Sequence, residues 1–297
     1  MSQAVEAQYE ESPYPRWATV GGNVSLPESV LSRARDKRIL VAGCGTGREA
    51  IEAALIFPAS QVDAIDLSRT SLAYGLRKAR ALGVQNLSFA QIDLLELPRF
   101  GTTYDLIICS GVLHHMANPA AGLMSLVDVL RPNGVLRVVA LYSSIGRAII
   151  TEARALAKRE GFPATKDGVR AFRRAIMSRP EHDAIRKKLT GSYDFYSTSG
   201  CRDLVFHAHE RTFTLTEIAV MVNALDLKVL KVDSQPLFLR AFRERFGEKT
   251  DTTNLSRWHT LEQERPAMFS SLFSLWLGRA SESESTDFGW IQETGRM

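Results

Sequence analysis

The first half of the chain alternates short apolar runs with longer stretches that repeat apolar residues every three or four positions. Apolar runs of this length predict β-strands, and the periodic stretches between them predict helices. The predicted strands are 39–42, 61–66, 87–91, 104–110 and 135–141, and the predicted helices are 25–35, 48–57, 68–82 and 119–130. Because strands and helices alternate, the pattern indicates an α/β fold with a parallel sheet.

The second half keeps this pattern after an interruption. Thr214 and Glu217 have the spacing of a capping box, which predicts a helix over 214–224. A sixth strand is predicted at 227–233, a basic helix at 238–246 and an antiparallel seventh strand at 271–280. Residues 143–210 exceed what a minimal sheet of this kind needs, so we interpret them as a helical insertion. The predicted organisation is an N-terminal lid and helix (1–35), a core (36–142), the insertion (143–210), the completion of the sheet (211–280) and a mobile tail (281–297).

Composition places the chain among globular proteins. Of its 297 residues, 45% are hydrophobic and 24% are charged, which is ordinary for a soluble domain. No apolar run reaches the length of a membrane span, and the first residues are polar and acidic, so we expect a cytoplasmic protein without membrane association. Cys44, Cys109 and Cys201 lack the spacing of a metal or redox motif, and His207 and His209 have no obvious third ligand. We therefore expect no metal site.

The chain is organised around the turn between its first core strand and the following helix, Gly43-Cys44-Gly45-Thr46-Gly47. Gly43 can adopt backbone angles closed to other residues, and Gly45 and Gly47 have no side chain to keep a ligand from the main chain. The helix from Arg48 directs unpaired amides towards whatever lies over this loop. We predict that a nucleotide-like cofactor binds there.

Carboxylates follow the next two strands. Asp66 ends the second strand, roughly 20 residues beyond the glycines, where a carboxylate binds two ribose hydroxyls. Asp93 follows the third strand between Ile92 and Leu94, a pattern that suits an adenine ring whose exocyclic amine donates to the acid. Arg48 occupies the region where a dinucleotide-binding loop has a third small residue, which argues against a nicotinamide dinucleotide.

This compact glycine loop with two downstream acids resembles the class I S-adenosylmethionine-dependent methyltransferases. Residues 104–115 look like the fourth strand and its loop in that family, and 130–136 look like the turn into the fifth strand. The resemblance covers about residues 36–142. It implies a Rossmann-like, seven-stranded, mostly parallel sheet with an antiparallel last strand and flanking helices, here with the insertion after strand five. One departure is Val41, where the family usually has an acid near the methionine amine, so another group must bind that end.

The resemblance implies S-adenosylmethionine as the cofactor and assigns its contacts. The predicted cofactor-binding residues are Gly43, Cys44, Gly45, Gly47, Asp66, Leu67, Asp93, Leu94, Ser110, Tyr14, Arg16 and Trp17. The last three lie in 9–17, a segment too rich in proline to predict a helix. It either docks Tyr14 and Trp17 on the core or forms a lid over the cofactor, where Arg16 pairs with the methionine carboxylate.

The insertion carries a concentrated positive charge. Residues 147–189 contain twelve Lys or Arg and five acidic residues, a local charge of +7 in a chain whose total is +4. Val169, Phe172 and Ile176 share one face of a helix predicted from Asp167, with arginines away from it. The basic cluster is either a solvated outer face or a docking surface for an acidic partner.

Two groups of residues are candidates for the chemistry. His114 and His115 directly follow the fourth strand and are the candidate general bases, although His114 can equally be a core residue. The segment 192–207 is rich in aromatic and hydroxyl side chains, and we predict that it forms a substrate-facing loop with Tyr193 and Tyr196 in the site.

Three acceptor classes stay open. The first is an amine on a protein, in particular lysine on an acidic partner such as a translation factor, because a macromolecular acceptor needs a docking surface as well as a pocket. The second is a small molecule methylated on nitrogen or oxygen, with the insertion as a lid. The third, RNA, has less support because no appended RNA-binding motif is present and the basic cluster lacks regular aromatic interleaving.

Overall fold

The computed structural model describes residues 3–11, 13–15, 17, 36–269 and 272–280. A seven-stranded sheet runs through this part of the chain in the order β3-β2-β1-β4-β5-β7-β6. Strands β1 to β5 are parallel to their neighbours, whereas β7 is antiparallel to both β5 and β6. This confirms the predicted mostly parallel sheet with an antiparallel last strand. The strands are β1 Arg38–Ala42, β2 Gln61–Asp66, β3 Leu87–Gln91, β4 Tyr104–Ser110, β5 Leu130–Tyr142, β6 Leu227–Val232 and β7 Leu272–Arg279.

Helices cover both faces of the sheet and form the insertion. The described α-helices are α1 Gln3–Glu11, α2 Arg48–Ile56, α3 Arg69–Ala81, α4 Pro119–Asp128, α5 Ala148–Arg159, α6 Lys166–Met177, α7 Ala184–Thr190, α8 Thr198–Phe206, α9 Leu215–Ala224, α10 Pro236–Phe246 and α11 Leu255–Glu264. Short 3₁₀ helices lie at Leu94–Phe100, Leu113–His115, Tyr193–Tyr196 and Pro266–Phe269. Among the residues that the structure describes, no helix is long and apolar enough to cross a membrane.

Capping side chains define two helix starts as the sequence predicted. The Ser68 hydroxyl accepts from the amide of Ser71 at the start of α3. At the start of α9, Thr214 accepts from the Glu217 amide while the Glu217 carboxylate accepts from the Thr214 amide, which completes the capping box. Each contact satisfies an amide that the helix itself leaves without an acceptor.

The central strands are buried on both faces. Ile39 and Val41 of β1 pack in one hydrophobic cluster, and Leu40 and Ala42 pack in the other, since side chains alternate along a strand. Such strands read as continuous apolar runs, which is why β1 was predictable.

The insertion after β5 has a hydrophobic core of its own. Val169, Phe172 and Ile176 of α6 are fully buried there, which confirms the predicted apolar face of this helix. Phe195 and Cys201 belong to the same cluster and connect the 3₁₀ helix Tyr193–Tyr196 and α8 to it.

Three sequence-based assignments were wrong in detail. The segment 9–17 begins inside a helix, because α1 continues to Glu11 and only then meets Pro13. The predicted turn at 130–136 is part of β5, where Leu130 pairs with Tyr104 before a shift in register. The predicted loop 192–207 is a 3₁₀ helix followed by α8. The predicted helix 25–35 and the tail 281–297 lie outside the described residues.

Candidate active site

The glycine loop between β1 and α2 adopts backbone angles that favour glycine. Gly43, Gly45 and Gly47 have φ values of 70°, 51° and 80°. A Cβ on Gly43 would lie 2.1 Å from the Val112 Cγ2 atom, so a side chain there would displace the loop after β4. The loop therefore places its main chain directly against the edge of the sheet, ahead of the first turn of α2.

A cavity of about 450 Å³ lies over this loop at the carboxyl ends of the strands. The residues predicted from sequence that line it are Tyr14, Gly43, Cys44, Gly45, Asp66, Leu67, Ser110, His114 and His115. We call it the inner cavity. Its position is where ligands bind in open α/β sheets, and its volume suits a small-molecule ligand.

Asp66 is held in place by main-chain amides. Its Oδ2 atom accepts from the Gly45 amide at 2.7 Å, and its Oδ1 atom accepts from the Ser68 amide at 2.9 Å. Burial raises the pKa of the Asp66 carboxyl, and these amides counteract part of the rise. The carboxylate is thus fixed between the glycine loop and the start of α3, facing the inner cavity.

Four predicted cofactor-binding residues do not line the inner cavity. Gly47 packs α2 against α3, because a Cβ there would lie 2.9 Å from the Gly75 Cα atom. Asp93 caps the next 3₁₀ helix by accepting from the Leu95 amide, and Leu94 is buried in the hydrophobic core. Trp17 is buried behind the loop and donates to the carbonyl of Thr46.

The N-terminal segment closes one side of the cavity. The Thr46 hydroxyl donates to the Pro15 carbonyl at 2.5 Å, which ties the segment to the glycine loop. Tyr14 and Pro15 line the cavity, as do Val5 and Tyr9 of α1. Arg16, the predicted partner of the methionine carboxylate, lies outside the described residues.

Part of the wall of the inner cavity combines phenols with carboxylates. Its wall includes Tyr9, Tyr14, Tyr142, Asp194 and Asp203, a set that we call the acidic end. The Tyr9 hydroxyl donates to Asp203 at 2.8 Å, and the Tyr14 hydroxyl donates to Asp194 at 2.5 Å. Burial raises the pKa of Asp203 to about 7, although the Tyr9 hydroxyl counteracts the rise. Sequence analysis missed these two acids, although both lie in the segment it had singled out.

Comparisons with known proteins agree with this geometry. A family model described as a methyltransferase domain matches residues 40–136. An uncharacterized protein of Synechococcus sp. is 32% identical over 206 residues, which are 63% of this chain and 49% of that relative. A malonyl-[acyl-carrier protein] O-methyltransferase of Halalkalibacterium halodurans is 32% identical over 128 residues, 41% of this chain and 45% of that protein. The chain thus spans about half the length of the curated relatives it matches.

Among solved structures, PKMT2 from Rickettsia typhi in complex with AdoHcy superposes with a TM-score of 0.64 at 17% identity, covering 87% of this chain and 52% of that one. At this identity the likeness shows a shared fold. Residues 40–136 thus match a methyltransferase domain, in agreement with the resemblance to class I S-adenosylmethionine-dependent methyltransferases.

The residues that line the inner cavity fit S-adenosylmethionine. The glycine loop offers main chain without side chains in the way, and a buried carboxylate, Asp66, faces the space beside it. Both features are what a nucleoside with a ribose diol requires. S-adenosylmethionine supplies an electrophilic methyl group when bound in this domain.

One further acid lines the inner cavity. Glu49 lies in the first turn of α2, and the Arg137 guanidinium is 3.3 Å from it. Burial raises the pKa of Glu49, with Ser110 and Arg137 acting in the opposite direction. Its signal in the sequence is an acid two residues after the last glycine of the loop.

The histidines after β4 are buried on the cavity wall. His115 Nδ1 lies 2.8 Å from the His209 carbonyl. Because a carbonyl oxygen only accepts, the proton is on Nδ1 and Nε2 has the lone pair. Burial lowers the pKa of His115 to about 3. The ring is therefore neutral at physiological pH and a weak proton acceptor. His114 is also buried, with its ring centroid 4.3 Å from that of Tyr142.

His207 joins this cluster, although the sequence showed no obvious third metal ligand beside His207 and His209. Atoms of His115, Asp203 and His207 that can bind metals lie within 4.8 Å of one another. However, His207 Nδ1 accepts from the His209 amide, which leaves the proton on Nε2, facing the Tyr9 hydroxyl. The rings of His115 and His207 are also stacked, with centroids 3.5 Å apart. Parallel rings cannot both direct an in-plane lone pair at one ion, so the three residues form a hydrogen-bonded network and not a set of ligands for one metal ion.

The structure does not bring Tyr193 and Tyr196 to the inner cavity. Their 3₁₀ helix buries Phe195 in the core of the insertion, so the two tyrosines point elsewhere. Tyr193 is 97% exposed, and the Tyr196 hydroxyl donates to the Thr190 carbonyl. The tyrosines that line the inner cavity come from α1, the N-terminal segment and β5.

Proposed function

We propose that this protein transfers a methyl group from S-adenosylmethionine to an amine, in particular the lysine side chain of an acidic protein partner. The observation that carries the proposal is the acidic end, where Asp194 and Asp203 lie among tyrosine rings. Carboxylates and phenol rings attract a cationic amine. The same groups disfavour an anionic acceptor in the same position.

Asp203 is the proposed proton acceptor. A lysine amine has a reference pKa of about 10.4, so it must lose a proton before its lone pair can attack. The acceptor nitrogen forms a bond to the methyl carbon as the carbon–sulfur bond breaks, the electron pair leaves with the sulfur, and the amine proton passes to Asp203. A carboxyl with a pKa of about 7 is ionised in about half of the molecules at neutral pH and remains basic enough to take that proton.

The remaining acids would bind the cofactor. We propose that Asp66 accepts from the ribose hydroxyls and that Glu49 accepts from the methionine amine, where Val41 replaces the acid usual in the family. Asp93 and Leu94, which do not line the inner cavity, remain predicted neighbours of the adenine. None of these roles requires Tyr193 or Tyr196.

A small-molecule acceptor is the second candidate, because the O-methyltransferase of Halalkalibacterium halodurans is among the relatives. A carboxylate acceptor would, however, place a third negative charge beside Asp194 and Asp203. Like charges at short range in a poorly solvated site are unfavourable by several kcal/mol, roughly. A small amine would not meet this repulsion, so the candidate is retained as N-methylation.

Two observations support a protein acceptor. The insertion beside the site carries the local charge of +7, which suits an acidic partner. The solved structure of PKMT2 shares the fold over most of this chain, and its name points to protein lysine methylation.

The test has two stages. Calorimetric titration with S-adenosylmethionine and with NAD identifies the cofactor, and tighter binding of NAD would refute the methyltransferase activity. Labelled methyl transfer is then measured into cell extract that has been treated with protease, treated with nuclease, or filtered to retain small molecules. We expect protease to remove the labelled product. Label found only in the filtrate would refute the protein acceptor.

A further inference from the structure

A second cavity adjoins the inner one and has a different chemical character. Its volume is about 690 Å³, and we call it the outer cavity. Tyr142, Asp194, Leu204 and Leu272 line both cavities, so the two spaces share a wall. A molecule in the outer cavity is therefore next to the acidic end, where methyl transfer is proposed to occur.

The remaining wall of the outer cavity is basic. Arg147, Lys187 and Lys188 line it, and Asp194 is the one acid among its lining residues. Arg147 contacts the Glu210 carboxylate through two nitrogens at 2.9 Å and 2.6 Å, and Arg154 contacts the same carboxylate at 3.3 Å. The two lysines of α7 add to the positive charge of this wall.

Most acids of the insertion are already engaged elsewhere. Asp167, Asp183 and Glu181 pair with arginines of their own neighbourhood. Lys187 makes no ion pair with any residue that the structure describes, and its side chain is exposed. Lys188 lies next to it on the same wall, and burial together with the nearby Arg147 lowers the pKa of its ammonium group. An incoming carboxylate would stabilise both ammonium groups.

An exposed aromatic residue completes the mouth of the outer cavity. Tyr193 lines it while its side chain is 97% exposed. Exposed tyrosines of this kind are typical of surfaces that bind peptides, because one ring provides a large contact area at a small entropic cost. Tyr193 thus has a place in acceptor binding other than the catalytic one predicted from sequence.

We propose that the outer cavity binds an acidic peptide segment that flanks the methylated lysine. The flanking carboxylates contact Lys187 and Lys188, while the lysine side chain passes Asp194 at the shared wall and reaches the acidic end. The charges of protein and peptide are complementary: the protein is positive at the outer cavity and negative at the acidic end, whereas the peptide is negative in its flanks and positive at its lysine. This inference rests on the proposed function, since it places the acceptor that the function requires.

Fluorescence anisotropy tests the docking independently of catalysis. The probe is a labelled Glu-Glu-Lys-Glu-Glu peptide, and the comparison peptide is Ala-Ala-Lys-Ala-Ala, both titrated with the full chain and S-adenosylhomocysteine. We expect the acidic peptide to bind more tightly, with an affinity that falls as salt is added. The double variant Lys187→Gln, Lys188→Gln should weaken it roughly tenfold and leave the alanine peptide unchanged.

Two further variants sharpen the result. Lys158→Gln removes an exposed charge at the end of α5, away from both cavities, and should have no effect. Lys187→Glu should reverse the preference and favour a peptide with arginines around the lysine. Equal binding of the acidic and alanine peptides, or equal losses in the Lys158 and Lys187 variants, would overturn the docking proposal. So would displacement of the acidic peptide by a single-stranded oligonucleotide at lower concentration.

Labelled methyl transfer to the same peptides separates the two proposals. If both peptides are methylated with the same KM, the amine-methylating function stands and the docking proposal fails. If the acidic peptide binds through Lys187 but neither peptide is methylated, the docking stands and the proposed function fails.

Discussion

Replacing Asp203 by Asn should stabilise the protein while abolishing methyl transfer. The folded-state pKa of Asp203 is raised to about 7 by burial, whereas an unfolded aspartate titrates near 3.9. Because the folded-state pKa is raised, the protonated Asp203 carboxyl makes its full contribution to the free energy of unfolding below about pH 3.9. This contribution is lost as the pH rises through about 7. Three pH units at 1.36 kcal/mol each give at most about 4 kcal/mol of lost stability above neutral pH.

Asparagine stays neutral at every pH, and its carbonyl oxygen can still accept from the Tyr9 hydroxyl. The variant should therefore match the wild type near pH 4 and exceed its free energy of unfolding by up to about 4 kcal/mol near pH 8. Urea unfolding followed by circular dichroism at both pH values measures the difference. Asp167→Asn, at a position whose side chain is 93% exposed, is the matched control and should change neither value.

The reasoning fails if Asp203→Asn changes stability equally at the two pH values, or destabilises the protein near pH 8. Activity provides the second measurement, because a stabilising substitution that removes turnover marks a group retained for function. We expect the variant to bind S-adenosylmethionine normally and to lose at least about a hundredfold in kcat, the lower range for a general base. A fully active variant would exclude Asp203 as the proton acceptor.

Three further predictions concern other parts of the molecule. Tyr9→Phe removes a hydroxyl that lowers the pKa of Asp203. The acidic limb of the pH profile of kcat/KM should therefore move up by about one to two pH units. An unchanged limb would contradict the hydrogen bond between Tyr9 and Asp203. Asp66→Ala should raise the Kd for S-adenosylmethionine at least about tenfold in calorimetry, whereas Arg174→Gln should not, and equal effects would argue against the ribose contact. Thr214→Ala should lower the free energy of unfolding by about 1 kcal/mol in urea, without changing cofactor affinity, because it removes a helix cap.

The parts of the site that were predictable are those encoded locally. The loop from Gly43 to Gly47 and the acid that ends β2 are neighbours of secondary-structure boundaries, so periodicity alone placed them at the same edge of the sheet. Glu49 was available by the same reasoning, since it lies in the first turn of the helix that follows.

The acidic end was not predictable because it depends on packing between distant segments. The prolines at 13 and 15 led to the prediction that Tyr9 lies in a non-helical segment, whereas α1 contains Tyr9 and ends before these prolines. Which residues of 192–207 face inwards was decided by Phe195, whose burial turns Tyr193 and Tyr196 away from the inner cavity. The spacing of residues in the sequence does not predict which side chains face the cavity, because tyrosine is compatible with both a cavity wall and an exposed surface.

The hydrogen bond from Tyr9 to Asp203 joins residues 194 positions apart. A contact of such long range closes a very large loop, and its entropic cost delays it until most of the sheet has formed. During synthesis, a ribosome that has released β1 to β5 has made Asp66 and Glu49, the proposed cofactor contacts, whereas Asp203, the proposed proton acceptor, is still to come. The nascent protein should therefore acquire affinity for its cofactor well before it acquires turnover.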